Sequence, residues 1–258
     1  MPAALMSAPT ERGRLTLGLD MAERALLLLA DITGYTEFMR LHRLNLAHSQ
    51  EITQRLLESM LEAVPAMKLV EVEGDALFLS APQEDSEETT GSSGWLPSAL
   101  AMYQAFHTQQ QWLVAHNVCV CDACRRIGKL HVKFVAHVGE VARQRIGHTE
   151  KLVGVDVIAV HRMLKNDVPA SEYLLMSEPL YERLEPTFRD RAIRVDQELD
   201  GLGMTPLYFL KFEDFALELP AGPEPTLPAQ IRETVCLGLR AFPSVLGFRR
   251  RTWKPSRM

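Results

Sequence analysis

Two aspartates stand at the ends of predicted strands, where carboxylates project from a rigid sheet. Asp31 follows the apolar run Ala25–Leu29, which predicts a strand buried on both faces. Asp75 follows Gly74 between two apolar runs, a pattern that predicts a hairpin turn. Carboxylate oxygens suit Mg²⁺ or Mn²⁺, so the pair is a candidate metal site. Taken singly, Asp31 is also explained as a helix cap and Asp75 as a turn residue.

The segment after Asp31 adds groups that suit phosphate. Thr33 and Gly34 precede a predicted helix, and backbone N–H groups at such a position bind phosphate oxygens well. The sequence therefore places a candidate phosphate-binding turn directly beside the candidate metal site.

Three of the four cysteines form a second candidate site. Cys119, Cys121 and Cys124 lie within six residues, and three thiolates this close could bind Zn²⁺. The fourth ligand would come from a partner subunit or from His116, His131 or Cys236. Two other interpretations stay open, a turn with reduced thiols and a redox-sensitive disulfide.

The remaining patterns predict the elements that position these residues. One helix is predicted after Ser49, which would be its N-cap, and a second one begins at Pro97. A third helix is predicted over Val155–Lys165. Further strands are predicted at Leu130–Val138, at Val141–Ile146 pairing back across Gly139-Glu140, at Tyr173–Met176 and at Pro206–Phe212. This order of hairpins and helical crossovers predicts an α+β, ferredoxin-like fold, a mixed antiparallel sheet with helices on one face.

The whole chain of 258 residues divides into three predicted parts. Residues 1–21 form a flexible leader, residues 22–215 one domain, and residues 216–258 a Pro-rich linker, a terminal helix and a basic tail. A hydrophobic content of 47% predicts a soluble globular protein, and no apolar run reaches the length of a transmembrane segment. The net charge of -5 gives no reason to expect nucleic acid, and the closely spaced cysteines favour the cytoplasm.

A set of ordered motifs resembles one known family, the class III adenylyl and guanylyl cyclases. LLADITGYTEFM resembles their F-x-D-I-x-G-F-T signature, VEGDALFL their G-D-A hairpin, and VAHVGEV their G-I-H-x-G-x-V strand. LVGVDVIAVHRML is similar to their G-x-x-V-N-x-A-x-R helix, and EYLLMSEPLYERL and GLGMTPLYFL to their closing elements. The matches run in order over residues 24–212, and the CxCxxC segment resembles an uncharacterised bacterial branch.

The resemblance implies the class III nucleotidyl cyclase fold and a role for individual residues. Asp31 and Asp75 would bind two metal ions, with the Ile32 carbonyl as an auxiliary ligand, to activate a ribose 3′-hydroxyl and neutralise the phosphates. Arg162 would stabilise the transition state. The residues expected to contact a nucleoside triphosphate are Thr33, Gly34, Tyr35, Thr36, Gly74, Glu71 and Lys151. The sites would form at the interface of a head-to-tail homodimer, with the aspartates from one subunit and the arginine from the other.

Several positions depart from that family. Its catalytic asparagine falls on Ile158, which cannot donate a hydrogen bond, and its triphosphate lysine falls on Leu202 or Asp200. At the base-selecting positions, Glu71 resembles the guanylyl type, whereas Lys151 matches neither type and could face guanine O6 or pair with Glu71.

Three functional hypotheses follow. The first is a protein that binds a metal–nucleoside triphosphate and has weak or altered cyclase activity. The second is an inactive relative that senses a nucleotide or another small ligand, and the third is a zinc-stabilised scaffold without nucleotide affinity.

Overall fold

The sheet is built around one long central strand. The computed structural model describes residues 22–39, 43–83, 94–147, 149–215, 217, 219, 222, 224–232 and 234–235. Within these residues the strands are β1 (Glu23–Thr33), β2 (Lys68–Glu73), β3 (Ala76–Pro82), β4 (His131–Ile146), β5 (Thr149–Val153), β6 (Tyr173–Ser177), β7 (Ile193–Leu199) and β8 (Gly203–Lys211). The strand order is β2-β3-β1-β4-β6-β8-β7, and β5 pairs with the far end of β4. Every pairing is antiparallel except that of β4 with β6.

Helices cover both faces of this sheet. They are α1 (Tyr35–Met39), α2 (Arg43–Glu62), α3 (Trp95–His116), α4 (Asp122–Arg125), α5 (Val155–Met163), α6 (Glu178–Tyr181) and α7 (Pro186–Arg189). Leu26 and Leu28 of β1 pack in one core with α2 and α3, whereas Leu27 and Leu29 pack in a second core with α5. Successive strand residues point to opposite faces, so this alternation means that α5 lies opposite α2 and α3. The α+β fold and the doubly buried β1 are therefore confirmed, but the helices are not confined to one face.

The predicted hairpin across Gly139-Glu140 is wrong. β4 runs without interruption from His131 to Ile146, and its true partner after the turn at Gly147 is β5, which the sequence patterns did not reveal. Gly139 serves close packing instead of a turn, because an added Cβ would lie 2.1 Å from Cγ of Asp156 on α5. Because β4 is unbroken, it pairs with β1 and also contacts the start of α5.

The predicted N-cap at Ser49 is also wrong, because α2 begins at Arg43. Ser49 is buried inside the helix, and its hydroxyl donates a hydrogen bond to the Phe38 carbonyl, 3.2 Å away. This bond links α2 to the end of α1. By contrast, the predicted hairpin around Gly74-Asp75 is confirmed, with β2 and β3 as its arms.

Parts of the predicted ends of the chain lie outside the described residues. These parts are the leader over residues 1–21 and residues 236–258, which include Cys236 and the basic tail. Residues 227–232 and 234–235 are helical and overlap the beginning of the terminal helix predicted around Ile231–Ala241. None of the helices described is long and apolar enough to cross a membrane.

Candidate functional site

Asp31 and Asp75 lie next to each other at one edge of the sheet. In the antiparallel register of β1 with β3, Asp31 faces Ala76, the residue directly after Asp75. The Ile32 amide donates to the Asp75 carbonyl over 3.2 Å, which fixes the hairpin turn against the end of β1. The sheet thus brings together the two carboxylates that the sequence separates by two helices and a strand.

The charge at this edge is only partly balanced. Lys133 on β4 is paired with Asp31 on β1. Its Nζ lies 3.2 Å from Asp31 Oδ2 and donates to the Leu164 carbonyl over 3.3 Å. Burial, followed by the charge of Asp31, raises the pKa of Asp75 to about 6, although a backbone hydrogen bond and Lys133 act in the opposite direction. The charge of Asp31 contributes to this rise, and a bound cation would offset the repulsion between the two ionised carboxylates.

The turn between β1 and α1 lies against the same edge. Gly34 has a φ of 88°, a left-handed conformation that glycine adopts without strain, and its carbonyl accepts from the Phe38 amide over 3.0 Å. The Thr33 hydroxyl oxygen is buried and has no hydrogen-bond partner among the residues described. Tyr35 is half-buried, and burial followed by the charge of Asp75 raises its pKa, whereas Thr36 is exposed.

Arg162 lies on the exposed face of α5 together with two apolar residues. Val155, Ile158 and Arg162 are spaced by three and four residues and therefore share one helical face. Val155 is 64% exposed and Ile158 is 49% exposed. The Arg162 guanidinium forms an ion pair with Asp200 in the β7–β8 turn, next to the exposed Leu202. One expected position of the triphosphate lysine thus carries the carboxylate that pairs with the arginine.

The two predicted base-selecting residues contact each other. Lys151 Nζ on β5 lies 3.2 Å and 3.1 Å from the two carboxylate oxygens of Glu71 on β2. Both side chains are more than 40% exposed, so the pair remains open to a ligand. Gly74 has a φ of 68° in the same hairpin, as its turn requires. The sheet therefore places a hydrogen-bond acceptor and a donor side by side at this edge.

The start of α5 is fixed to β4 by Asp156. One carboxylate oxygen lies 2.9 Å from His137 Nε2, and the other accepts from the Glu140 amide over 2.7 Å. Only glycine fits at position 139 beneath this carboxylate. His137 therefore has a hydrogen-bonded structural position that orients the helix carrying Ile158 and Arg162.

The cysteine segment converges on a histidine from α2. Nδ1 of His48 lies 3.6 Å from Sγ of Cys119, 3.5 Å from that of Cys121 and 3.7 Å from that of Cys124. The four candidate ligand atoms all lie within 4.8 Å of one another, so the group could hold a metal ion. Burial raises the pKa of the Cys121 and Cys124 thiols and lowers that of His48, so the imidazole favours its neutral form.

The fourth member of this group is not one of the candidates expected from sequence. His116 instead lies 3.0 Å from the Trp112 carbonyl and stacks on the Trp112 ring. His131 is the first residue of β4, and its Nδ1 lies 3.5 Å from Oε1 of Glu172. Cys236 lies outside the described residues. No disulfide joins the three described cysteines, which are all free.

Three contributors to these sites escaped the sequence reasoning. They are His48, the Asp31 partner Lys133, and Asp200 as the partner of Arg162. His48 precedes the cysteine segment by 71 residues, so no local spacing connects them. Lys133 does alternate with the apolar residues of β4, and that alternation, combined with the β1–β4 register, would have identified it.

Comparisons with known proteins place these features in context. A family model described as a protein of unknown function (DUF2652) matches residues 53–173. The uncharacterized protein Rv2561/Rv2562 of Mycobacterium tuberculosis is 35% identical over 196 residues, which cover 76% of this chain and 90% of that protein.

Solved structures with the same fold include cyclases. The adenylyl cyclase CyaB from P. aeruginosa has a TM-score of 0.54 at 14% identity, covering 74% of this chain and 95% of its own. The guanylyl cyclase Cya2 has a TM-score of 0.56 at 15% identity, covering 77% and 98%. A class III adenylyl cyclase-like ATP-binding protein from Pseudomonas aeruginosa has a TM-score of 0.51 at 16% identity, covering 66% of this chain and 36% of its own. At these identities the likeness establishes the fold, that of a class III cyclase catalytic domain.

Proposed function

Since this chain belongs to the family of the uncharacterised mycobacterial protein Rv2561/Rv2562 and has the class III nucleotidyl cyclase fold, we propose that it binds a divalent metal with a nucleoside triphosphate. The proposed site lies at Asp31 and Asp75, in the interface of a head-to-tail homodimer, and its turnover to cyclic nucleotide and pyrophosphate is weak. A cytoplasmic location belongs to the proposal, because free thiols and nucleoside triphosphates are both maintained there.

The adjacent carboxylates of Asp31 and Asp75 carry the proposal. They fit Mg²⁺ or Mn²⁺, since hard oxygen ligands suit these ions and the charge of Asp31 opposes the ionisation of Asp75 in the absence of a cation. The Thr33 hydroxyl, which has no hydrogen-bond partner in the described part of the chain, and the turn at Gly34 lie beside them, where triphosphate oxygens would bind. A bound metal would polarise the α-phosphate and neutralise the leaving pyrophosphate.

The weak turnover follows from the residues that α5 contributes to the proposed site. Ile158 provides no donor where the superfamily has an asparagine, and the loss of one such donor commonly costs about 10²–10³ in rate. Arg162 is held by Asp200, so it must exchange this partner before it can reach a phosphate. The protein retains the metal-binding half of a cyclase site and lacks part of the half that stabilises the transition state.

The exposed apolar face of α5 supports the dimer. Val155 and Ile158 are both largely exposed and lie on the same face as Arg162. In a head-to-tail pair this face would cover the partner's metal site, and the contact would shield both side chains from water.

Measurements of product formation by the wild-type protein and by point variants test the proposal. The full chain is incubated with Mn²⁺ and ATP, GTP, CTP or UTP, and cyclic nucleotide and pyrophosphate are quantified. We expect slow product formation from a purine nucleotide, because Glu71 and Lys151 offer an acceptor and a donor to a purine edge. Asp31→Ala should abolish it, whereas Asp190→Asn, at an exposed aspartate of the α7 C-cap, should not.

Complementation tests the shared site. Asp31→Ala and Arg162→Ala should each be inactive alone, but an equal mixture should recover about one quarter of the wild-type activity. Half of the dimers would be mixed, and each mixed dimer would contain one intact site out of two. A mixture that stays inactive, although the subunits exchange, contradicts the head-to-tail arrangement.

A non-catalytic nucleotide sensor is the second candidate function. The Arg162–Asp200 ion pair favours it, because the arginine is neutralised within its own chain. The similar class III adenylyl cyclase-like ATP-binding protein is a precedent for this fold with an ATP-binding role. Nucleotide-dependent thermal stabilisation without any cyclic product would support the sensor. If neither product nor stabilisation is seen, both candidates fail.

A further inference from the structure

We propose that His48, Cys119, Cys121 and Cys124 bind one Zn²⁺ in a closed structural site, which fixes residues 117–130 against the turn Thr33–Phe38. The site is separate from the carboxylate pair, and it does not depend on nucleotide binding. It joins α2 to the connection between α3 and β4, two segments that are remote in sequence.

The spacing of the ligand atoms agrees with one tetrahedral zinc ion. With Zn–S bonds of about 2.3 Å and Zn–N bonds of about 2.05 Å at tetrahedral angles, each nitrogen–sulfur distance is about 3.6 Å. The three observed distances from His48 Nδ1 to the sulfurs are 3.6, 3.5 and 3.7 Å. The sulfur–sulfur distances in such a tetrahedron are about 3.8 Å, within the 4.8 Å that encloses all four atoms.

The ligand set indicates both the metal and its role. Three thiolates and one imidazole are soft to borderline ligands, which select Zn²⁺ over Mg²⁺ or Ca²⁺. Four protein ligands complete the tetrahedron and leave no position for water or substrate, as in structural zinc sites. The Cys124 amide also donates to Sγ of Cys121 over 3.5 Å, a bond that stabilises a thiolate at the start of α4.

A disulfide explains this arrangement less well. A disulfide among the cysteines would use two sulfurs and leave the third thiol and the imidazole without a shared function. By contrast, a single cation accounts for the convergence of all four side chains on one point. The partial burial of the group also limits access of oxidants to its thiols.

Contacts carry the effect of the zinc site to the Thr33–Phe38 turn. On the α2 side, Ser49 follows His48 and donates to the Phe38 carbonyl. On the cysteine side, Arg126 follows α4 and forms an ion pair with Glu37 of α1.

A second set of contacts closes the gap between the same two segments. A Cβ at Gly34 would lie 3.5 Å from the Lys129 carbonyl, so the turn and the cysteine segment are in close contact. Gln110 of α3 donates to the carbonyls of Ile127 and Leu130 over 2.9 and 2.7 Å, and thereby holds that segment in place. Zinc would anchor both supports of the turn at the same time.

Metal analysis of the full chain tests the site. Protein purified from zinc-supplemented medium should contain about one zinc per chain by mass spectrometry of the metal, since four ligands bind a single ion. His48→Ala and Cys121→Ser should lose it. His131→Gln and Cys236→Ser, which change a histidine and a cysteine that the proposed ligand set does not include, should keep it. Zinc-free wild-type protein, zinc-loaded His48→Ala, or loss of zinc in either control would overturn the assignment.

Cobalt substitution provides a readout that does not depend on the folding of the variants. Wild-type protein loaded with Co²⁺ should show strong tetrahedral ligand-field bands and a thiolate-to-cobalt charge-transfer band. A weak octahedral spectrum would refute the four-ligand set.

Hydrogen exchange tests the structural role. Zinc removal by a chelator should accelerate exchange in Thr33–Phe38 and in residues 117–130, but not in the β7–β8 hairpin. If exchange in Thr33–Phe38 is unchanged, zinc does not support the turn.

Discussion

Asp75→Asn is expected to stabilise the metal-free protein and to abolish its binding of Mn²⁺. The pKa of about 6 in the folded protein lies above the ordinary aspartate value of 3.8, so burial of the ionised carboxylate opposes folding. The stabilisation from the protonated form is fully present below about pH 4 and is lost as the pH rises through about 6. Asparagine retains the neutral shape at every pH and therefore avoids this loss.

The size of the effect follows from the two pKa values. A rise from 3.8 to about 6 corresponds to at most about 3 kcal/mol above pH 6. Because Asp75 is only half-buried, solvent screening reduces the expected gain to about 1–2 kcal/mol. At pH 4 the difference should shrink to a few tenths of a kcal/mol, since the wild-type carboxyl is then protonated in the folded protein.

Urea unfolding in buffer without Mg²⁺ or Mn²⁺ measures this difference at about pH 4 and about pH 7.5. Asp190→Asn, at the exposed C-cap of α7, is the matched control and should show no such pH dependence. Mn²⁺ binding by Asp75→Asn, followed through the electron paramagnetic resonance signal of the free ion, should be lost. A variant no more stable than wild type at pH 7.5, or a difference independent of pH, would refute the reasoning.

Three further substitutions test Ile158 on α5, the Arg162 partner Asp200, and Gly139, which packs against the start of α5. Ile158→Asn restores a hydrogen-bond donor and should raise cyclic-nucleotide formation by about 10²–10³, measured as initial rate with Mn²⁺ and the preferred nucleotide. Asp200→Asn frees Arg162 and should tighten triphosphate binding, measured by calorimetry, by up to about fivefold, since an exposed ion pair contributes at most about 1 kcal/mol. Gly139→Ala should lower the free energy of unfolding by about 1–3 kcal/mol, because its Cβ would overlap Asp156.

Each of these changes has a control and a contradictory outcome. Ile158→Val keeps the position apolar and should leave the rate unchanged; an Asn variant no faster than wild type would contradict the role of that position. Weaker triphosphate binding by Asp200→Asn would mean that Asp200 does not compete for the arginine. Gly128→Ala, where an added Cβ meets only a side chain at 3.9 Å, should be tolerated, and equal tolerance at Gly139 would disprove the clash.

The placement of Asp31 and Asp75 at a strand end and a turn could be predicted because its signals are local. A continuous apolar run before Asp31 and a Gly-Asp pair between apolar runs each specify a strand end or a turn within a few residues. The register of β1 with β3 then brings these two points together without further information. At Gly139, by contrast, the sequence pattern predicts a turn, whereas the small size of this residue allows the approach of Asp156 from α5. Local turn propensity does not distinguish these two uses of glycine, whereas the resemblance of VAHVGEV to a family strand favours the second.

The partners of the site residues depend on contacts that no periodicity encodes. His48 meets the cysteines only because α2 packs beside α4. Lys133 reaches Asp31 through the pairing of strands that are about a hundred residues apart. Each partner is set by tertiary packing, so it emerges only once the sheet is assembled.

The two ion pairs of the proposed site differ in how easily a ligand can separate them. Arg162 and Asp200 are paired at the surface, with the Asp200 side chain 87% exposed, so a triphosphate can displace this carboxylate at little cost. Asp31 and Lys133 are only 17% and 20% exposed, and separation of this pair leaves charges in a less polar environment. A divalent ion must therefore compete with Lys133 and gain from the ionised Asp75, which makes metal binding the more demanding step. Nucleotide should consequently bind weakly without Mn²⁺, even though its arginine partner is readily released.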